Sequence, residues 1–207
     1  MTLKAVIFDL GGVLIRTEDP RPRAEFAAQW GVTPEELEYL VLEGPKGTEA
    51  QMGYLHPRDL WLYVASELGI PNPDPEAMER AFWGGDRFDM TLVELIKHLR
   101  QRYKVGLLSN AWITLREWIE QHTPLAGLFH AMVISAEVHL MKPDPRIYAR
   151  ILGELGVLPH EAVFIDDRPE NVEGARRVGL HAFQFTSTPE VFQKLRALGI
   201  EVPEEPS

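Results

Sequence analysis

Asp9-Leu10-Gly11-Gly12, Ser109-Asn110, Lys142-Pro143 and Asp166-Asp167 are where this chain concentrates groups able to do chemistry. Asn171 and Gly174-Ala175 follow the last of them closely. Together they supply three carboxylates, a hydroxyl, side-chain amides and an ammonium. Carboxylate oxygens suit magnesium, which keeps several waters and bridges to phosphate oxygens. A lysine is a point charge for the same oxygens. A serine hydroxyl and backbone N–H groups add donors. Such a set can hold a divalent cation and a phosphate together. Cysteine is absent, which excludes thiol nucleophiles, disulfides and Cys-ligated zinc. The 7 histidines show no metal-type spacing.

Each cluster follows, directly or nearly so, a short apolar run that reads as a buried parallel strand. The runs are Ala5–Phe8, Lys104–Leu108, Ala131–Ile134 and Ala162–Ile165, with a fifth at Ala182–Phe185. Leu92, Leu95, Ile96 and Leu99 recur at helical spacing, as nearly do Ile147, Ile151, Leu152 and Leu155. Strand–helix alternation predicts an α/β fold with a doubly wound parallel sheet. In such sheets ligands collect at the carboxyl ends of the strands, which is where the polar clusters fall.

Residues 16–88 break the alternation. Ala24–Trp30, Pro34–Leu42, Pro57–Leu68 and Pro75–Phe82 read as helices, and no strand run is evident among them. Thr33-Pro34-Glu35-Glu36 is a start signal of capping-box type. The division expected is a core of 1–15 and 89–200, a helical insert of 16–88, and a tail of 201–207 that frays. Thr188 is expected to cap the last helix, with Pro189 at its first position.

The chain has 207 residues, 45% hydrophobic and 25% charged, enough to bury a real core. Its formal net charge of −10 argues against binding a nucleic-acid backbone. The first apolar stretch is too short for a signal peptide, and no run approaches a membrane span. A soluble cytoplasmic protein acting on a small molecule is the expectation. Nothing in the sequence speaks to oligomeric state.

Four of these clusters, in this order, resemble the motifs of the haloacid dehalogenase (HAD) superfamily, most of whose members are phosphatases. The resembling segments are Phe8-Asp9-Leu10-Gly11-Gly12-Val13-Leu14, Leu107-Leu108-Ser109-Asn110, Lys142-Pro143-Asp144-Pro145-Arg146-Ile147-Tyr148 and Phe164 to Ala175. The resemblance implies a Rossmann-like core, with the helical insert as a small cap. It is nearest to the subgroup that includes bacterial sugar-1-phosphate phosphatases. It implies that Asp9 is the nucleophile and, with the Gly11 carbonyl and Asp167, a magnesium ligand. Ser109, Asn110 and Lys142 would bind the phosphoryl group, with Asp166 and Asn171 in support.

The chain departs from the family pattern at Gly11, where family phosphatases usually carry a second aspartate as acid and base. Asp19, Glu18 and His56 are candidates on position alone to replace it. The departure keeps two other readings open, a metal-independent 2-haloacid dehalogenase and a phosphate-binding member without efficient turnover. Taken singly, the residues have plainer readings. Asp166-Asp167 could be a charge pair at a helix start. Trp112 could pack in the core or face the substrate.

Overall fold

The structure, a computed structural model, describes residues 2–204. Five parallel strands form the central sheet in the order β5-β4-β1-β6-β7. They are β1 (Ala5–Phe8), β4 (Lys104–Ser109), β5 (Ala131–Ile134), β6 (Ala162–Asp166) and β7 (His181–Gln184). These match the five apolar runs to within a residue at each end. The alternation of side chains along β1 explains the double winding. Val6 and Phe8 face one layer, where α6 (Met90–Leu99) and α11 (Thr188–Ala197) bury Leu92, Leu95, Leu99, Phe192 and Leu195. Ala5 and Ile7 face the other, against Ile147, Ile151 and Leu155 of α9 (Pro145–Leu155) and Ala175 of α10 (Pro169–Arg177).

The insert has its own apolar centre. It comprises α1 (Arg21–Gln29), α2 (Pro34–Glu38) with a π turn over Tyr39–Glu43, α3 (Pro45–Gln51), α4 (Pro57–Leu68) and α5 (Pro75–Trp83). Phe26, Leu37, Val41, Leu60, Trp61, Val64 and Phe82 pack together there. The Thr33 capping box forms as expected: Thr33 Oγ1 accepts the Glu36 N–H at 3.2 Å, and Glu36 accepts the Thr33 N–H at 2.8 Å.

Two expectations need correction. First, the insert is not free of strands at its ends. β2 (Ile15–Thr17) and β3 (Asp86–Phe88) pair antiparallel, so both chain crossings run side by side. Second, Thr188 does not cap α11; Ser187 precedes the helix without a side-chain cap. The Thr188 hydroxyl instead donates to Asp89, which also accepts the Leu92 N–H at 2.9 Å and Arg16 Nη2 at 2.7 Å. The first residues of the expected tail make polar contacts. Glu201 pairs with Arg102, and the Pro203 carbonyl accepts from Arg196 at 2.7 Å. Residues 205–207 of the expected tail lie outside the described residues. Among the described residues no helix is long and apolar enough to cross a membrane.

Candidate active site

Register brings the polar clusters together. Phe8 of β1 lies level with Leu107 of β4 on one side and Ile165 of β6 on the other. Asp9 therefore emerges beside Asp166, and the Asp9 N–H donates to the Ile165 carbonyl at 2.9 Å. Ser109 ends β4, buried on the other side of Asp9.

Lys142 joins the set from the loop before α9. Its ammonium is 2.8 Å from Asp9 Oδ1 and 2.6 Å from Asp166 Oδ2, and all three side chains are buried. Asp9 Oδ1 also accepts the Leu10 N–H at 2.7 Å. Both protein contacts thus fall on one oxygen, and among the described residues Asp9 Oδ2 has no hydrogen-bond donor.

The paired aspartates differ. Asp166 is saturated: beyond Lys142 it accepts from the Arg168 N–H at 2.8 Å and from Asn171 Nδ2 at 3.0 and 3.2 Å. The Asp167 carboxylate accepts from no other described residue. It lies against Gly12, where a β-carbon would overlap Asp167 Oδ2. Gly12 also has φ +74°, a backbone open at little cost only to glycine. Gly11 is different: its φ is not positive, and a β-carbon there would meet nothing within 4 Å.

Electrostatics set the requirement. Asp9, Asp166 and Asp167 each offer an oxygen, all within 4.8 Å of one another. Burial pushes the Asp9 carboxyl up to about 8, against the pull of Lys142 and with the push of Asp166. Burial and Asp166 also raise Asp167. Burial works against the Lys142 charge, but Asp9 and Asp166 outweigh it and hold its pKa above the ordinary lysine value. One ammonium against three clustered carboxylates leaves negative charge uncompensated. A hard divalent cation with oxygen ligands fits that deficit, and the close approach permitted by Gly12 makes room for the Asp167 oxygens.

Other sequence candidates are engaged elsewhere. The Asn110 carboxamide grips the Lys142 backbone, accepting its N–H at 2.8 Å and donating to its carbonyl at 3.0 Å. Trp112 packs edge-on against Trp61 and Trp83 in the apolar centre of the insert, which favours the packing reading. Asp19 is clamped by Arg21, whose hydrogen bonds hold it down to about 2, so it carries no proton to donate at neutral pH. His56 caps α4 by accepting the Arg58 N–H. Glu18 is exposed beyond the strand pair. Sequence reasoning missed Ser135. It follows an apolar strand at the same rim, which was the available signal.

A five-stranded parallel sheet between helices, with a rim of carboxylates around a buried lysine at its strand ends, defines an α/β protein with a candidate cation and anion site. The haloacid dehalogenase-like hydrolase family model matches residues 3–179, and the chain belongs to that family. A sesquiterpene phosphatase of Aspergillus oryzae is 27% identical over 95% of this chain and 97% of its own. A glyceraldehyde 3-phosphate phosphatase of Methanopyrus kandleri is 27% identical over 86% and 82%. A HAD family enzyme of Bacteroides thetaiotaomicron, solved with magnesium and inorganic phosphate, shares the fold with a TM-score of 0.77 at 23% identity, covering 92% of this chain and 99% of its own.

Proposed function

We propose that the chain is a magnesium-dependent phosphatase that hydrolyses a small phosphate ester through an aspartyl-phosphate on Asp9. The observation that carries this reading is the Lys142 ammonium set between Asp9 and Asp166, with the unshared Asp167 carboxylate beside them. The phosphatase names of the relatives support the class, and their differing substrates leave the ester open. The net charge of −10 argues against a nucleic-acid backbone as the substrate.

Asp9, the Gly11 carbonyl and Asp167 would hold magnesium, with Asp166 and Asn171 in support. Magnesium bound there supplies charge neutralisation at the phosphate oxygens. Asp9 Oδ2 attacks phosphorus, the ester P–O bond breaks, and the departing oxygen takes its proton from water. Water then cleaves the acyl phosphate, releasing orthophosphate and restoring the carboxylate. Lys142 offsets the repulsion between Asp9 and the incoming anion. The Ser109 hydroxyl and the Asn110 N–H donate to the phosphoryl group, while the Asn110 carboxamide holds Lys142 in place. Gly11 offers no acid, so the fitting esters have leaving oxygens of low basicity, such as anomeric or aryl phosphates. Residues 16–88 serve as the cap that selects among them.

A magnesium-dependent screen of phosphate esters, including sugar-1-phosphates and aryl phosphates, tests the reading. Turnover that disappears in Asp9→Asn supports it. Chloride release from a 2-haloacid without magnesium would replace it with dehalogenation. Phosphate binding with no turnover across the panel would leave a binding protein.

A further inference from the structure

Ser135 opens α8 (Ser135–Val138) directly after β5, and it is fully buried. A hydroxyl has one proton to donate and two lone pairs with which to accept. The Ser135 hydroxyl donates to the Gln51 carbonyl, at the end of α3 in the helical insert, at 2.6 Å. The same oxygen accepts the Ala111 N–H at 2.9 Å. The Ala111 carbonyl, at 3.2 Å, is a longer alternative acceptor for the proton. One buried oxygen thus joins the insert to the loop that continues Ser109-Asn110.

The surroundings keep that joint tight. Gly53 has φ +75° and lies so close to α8 that a β-carbon would overlap the Ala136 carbonyl. The Met52 carbonyl meets His139 Nδ1 at 2.7 Å, and the Tyr54 ring stacks on His139 at 5.2 Å between centroids. On the loop side, the Asn110 carboxamide holds the Lys142 backbone, and the Trp112 ring is embedded in the insert. Between those two anchors, the Ala111 N–H takes its place from Ser135.

We propose that Ser135 is a positioning residue for phosphoryl recognition: through its hydroxyl, the docked Gln51–Tyr54 turn sets Ala111 and with it the donors of Ser109 and Asn110. The proposal rests on the phosphatase reading of those donors. Displacing the turn displaces the loop, because the two share one fully buried oxygen. The insert that selects the ester thereby also adjusts the groups that receive its phosphate.

Orthophosphate binding in the presence of magnesium, followed by calorimetry, tests this beside p-nitrophenyl phosphate turnover. The proteins compared are the wild type, Ser135→Ala and Gly53→Ala. Ser135→Ala removes the acceptor of the half-buried Ala111 N–H and the donor to the buried Gln51 carbonyl. It should weaken orthophosphate binding and lower kcat, each by about tenfold, with the magnesium half-saturation unchanged. Gly53→Ala leaves Ser135 and the loop intact but forces the turn off Ala136, and it should reproduce the same pattern. A Ser135→Ala protein that melts earlier yet binds orthophosphate and turns over like the wild type would overturn the proposal. Should Ser135→Ala not fold, wild-type phosphate affinity in Gly53→Ala overturns it equally. A wild type that binds no orthophosphate removes the phosphatase reading and this proposal with it; unaltered variants beside a binding wild type remove the proposal alone.

Discussion

Gly11 and Gly12 are neighbours under different constraints. Gly12 is required by a left-handed φ and by the Asp167 carboxylate against it, whereas Gly11 has an ordinary φ and open space on its β side. Gly11→Asp should therefore fold. It should also raise turnover of esters with poor leaving groups by up to ~10²–10⁴, the usual worth of a positioned acid and base. Turnover against leaving-group pKa checks this: a flat wild-type plot with no gain in the variant would mean that another group already gives the proton. The aspartate pair separates in the same way. Asp167→Ala should weaken magnesium activation and leave the melting temperature nearly unchanged. Asp166→Ala should cost about 3–5 kcal/mol of stability, because Lys142 and Asn171 lose a buried partner. Magnesium titrations and melts of both variants decide it; equal behaviour would refute the division of labour. Most of this site was legible because strand ends are where an α/β sheet exposes its chemistry. The commitment of Asn110 to a backbone 32 residues away was not, since it depends on a loop path that no local pattern encodes.

At the scale of elements, β1, β4, β5 and β6 were readable because they are buried almost throughout and read as near-continuous apolar runs, whereas β7 at the sheet edge is exposed at His181 and Gln184 and was legible only through its apolar centre. The β2–β3 pair was invisible for the converse reason. Ile15-Arg16-Thr17 and Asp86-Arg87-Phe88 are three-residue, mixed-polarity segments far apart in the chain, paired only because both crossings to the insert run together. Asp89 fastens that ribbon to the core. Burial raises its carboxyl, but the hydrogen bonds from Thr188, Arg16 and the Leu92 N–H outweigh burial and hold it below the ordinary 3.8. A carboxyl depressed on folding stabilises the fold above its unfolded pKa, and that contribution is lost as pH falls through the folded value. Asp89→Asn keeps the shape and the capping oxygen and removes the charge. It should lower stability by about 1–2 kcal/mol at pH 7, and the gap should close as the pH falls below 3.8. Thermal melts across that range are the measurement, and a gap that does not narrow as the pH falls would exclude the ionised joint.

Across the whole molecule, the insert is held unequally. At the α8 side it is joined by the Ser135 oxygen, the His139 contacts and the close approach of Gly53. At the Arg168 side, beside Asp167, the contact is an ion pair of Arg168 with Glu43 at 3.9 Å, both more than half exposed. An exposed pair of that kind is worth about 0–1 kcal/mol, so that side separates at little cost. Trp112 adds the third attachment. It belongs to the core chain just after Asn110, yet its ring completes the insert's aromatic cluster with Trp61 and Trp83. Trp112→Ala should remove about 3–5 kcal/mol of packing. The loss should fall on one unit: amide exchange should accelerate through α4 and α5, while β1, β4 and β6 keep their protection. The ring pins the insert at the end of the phosphate-side loop, so esters with large leaving groups should lose more kcat/KM than p-nitrophenyl phosphate does. Hydrogen exchange with mass detection reads the first effect and a substrate series the second. Uniform acceleration across sheet and insert would show that the two units unfold as one, and that Trp112 stabilises the whole rather than the joint.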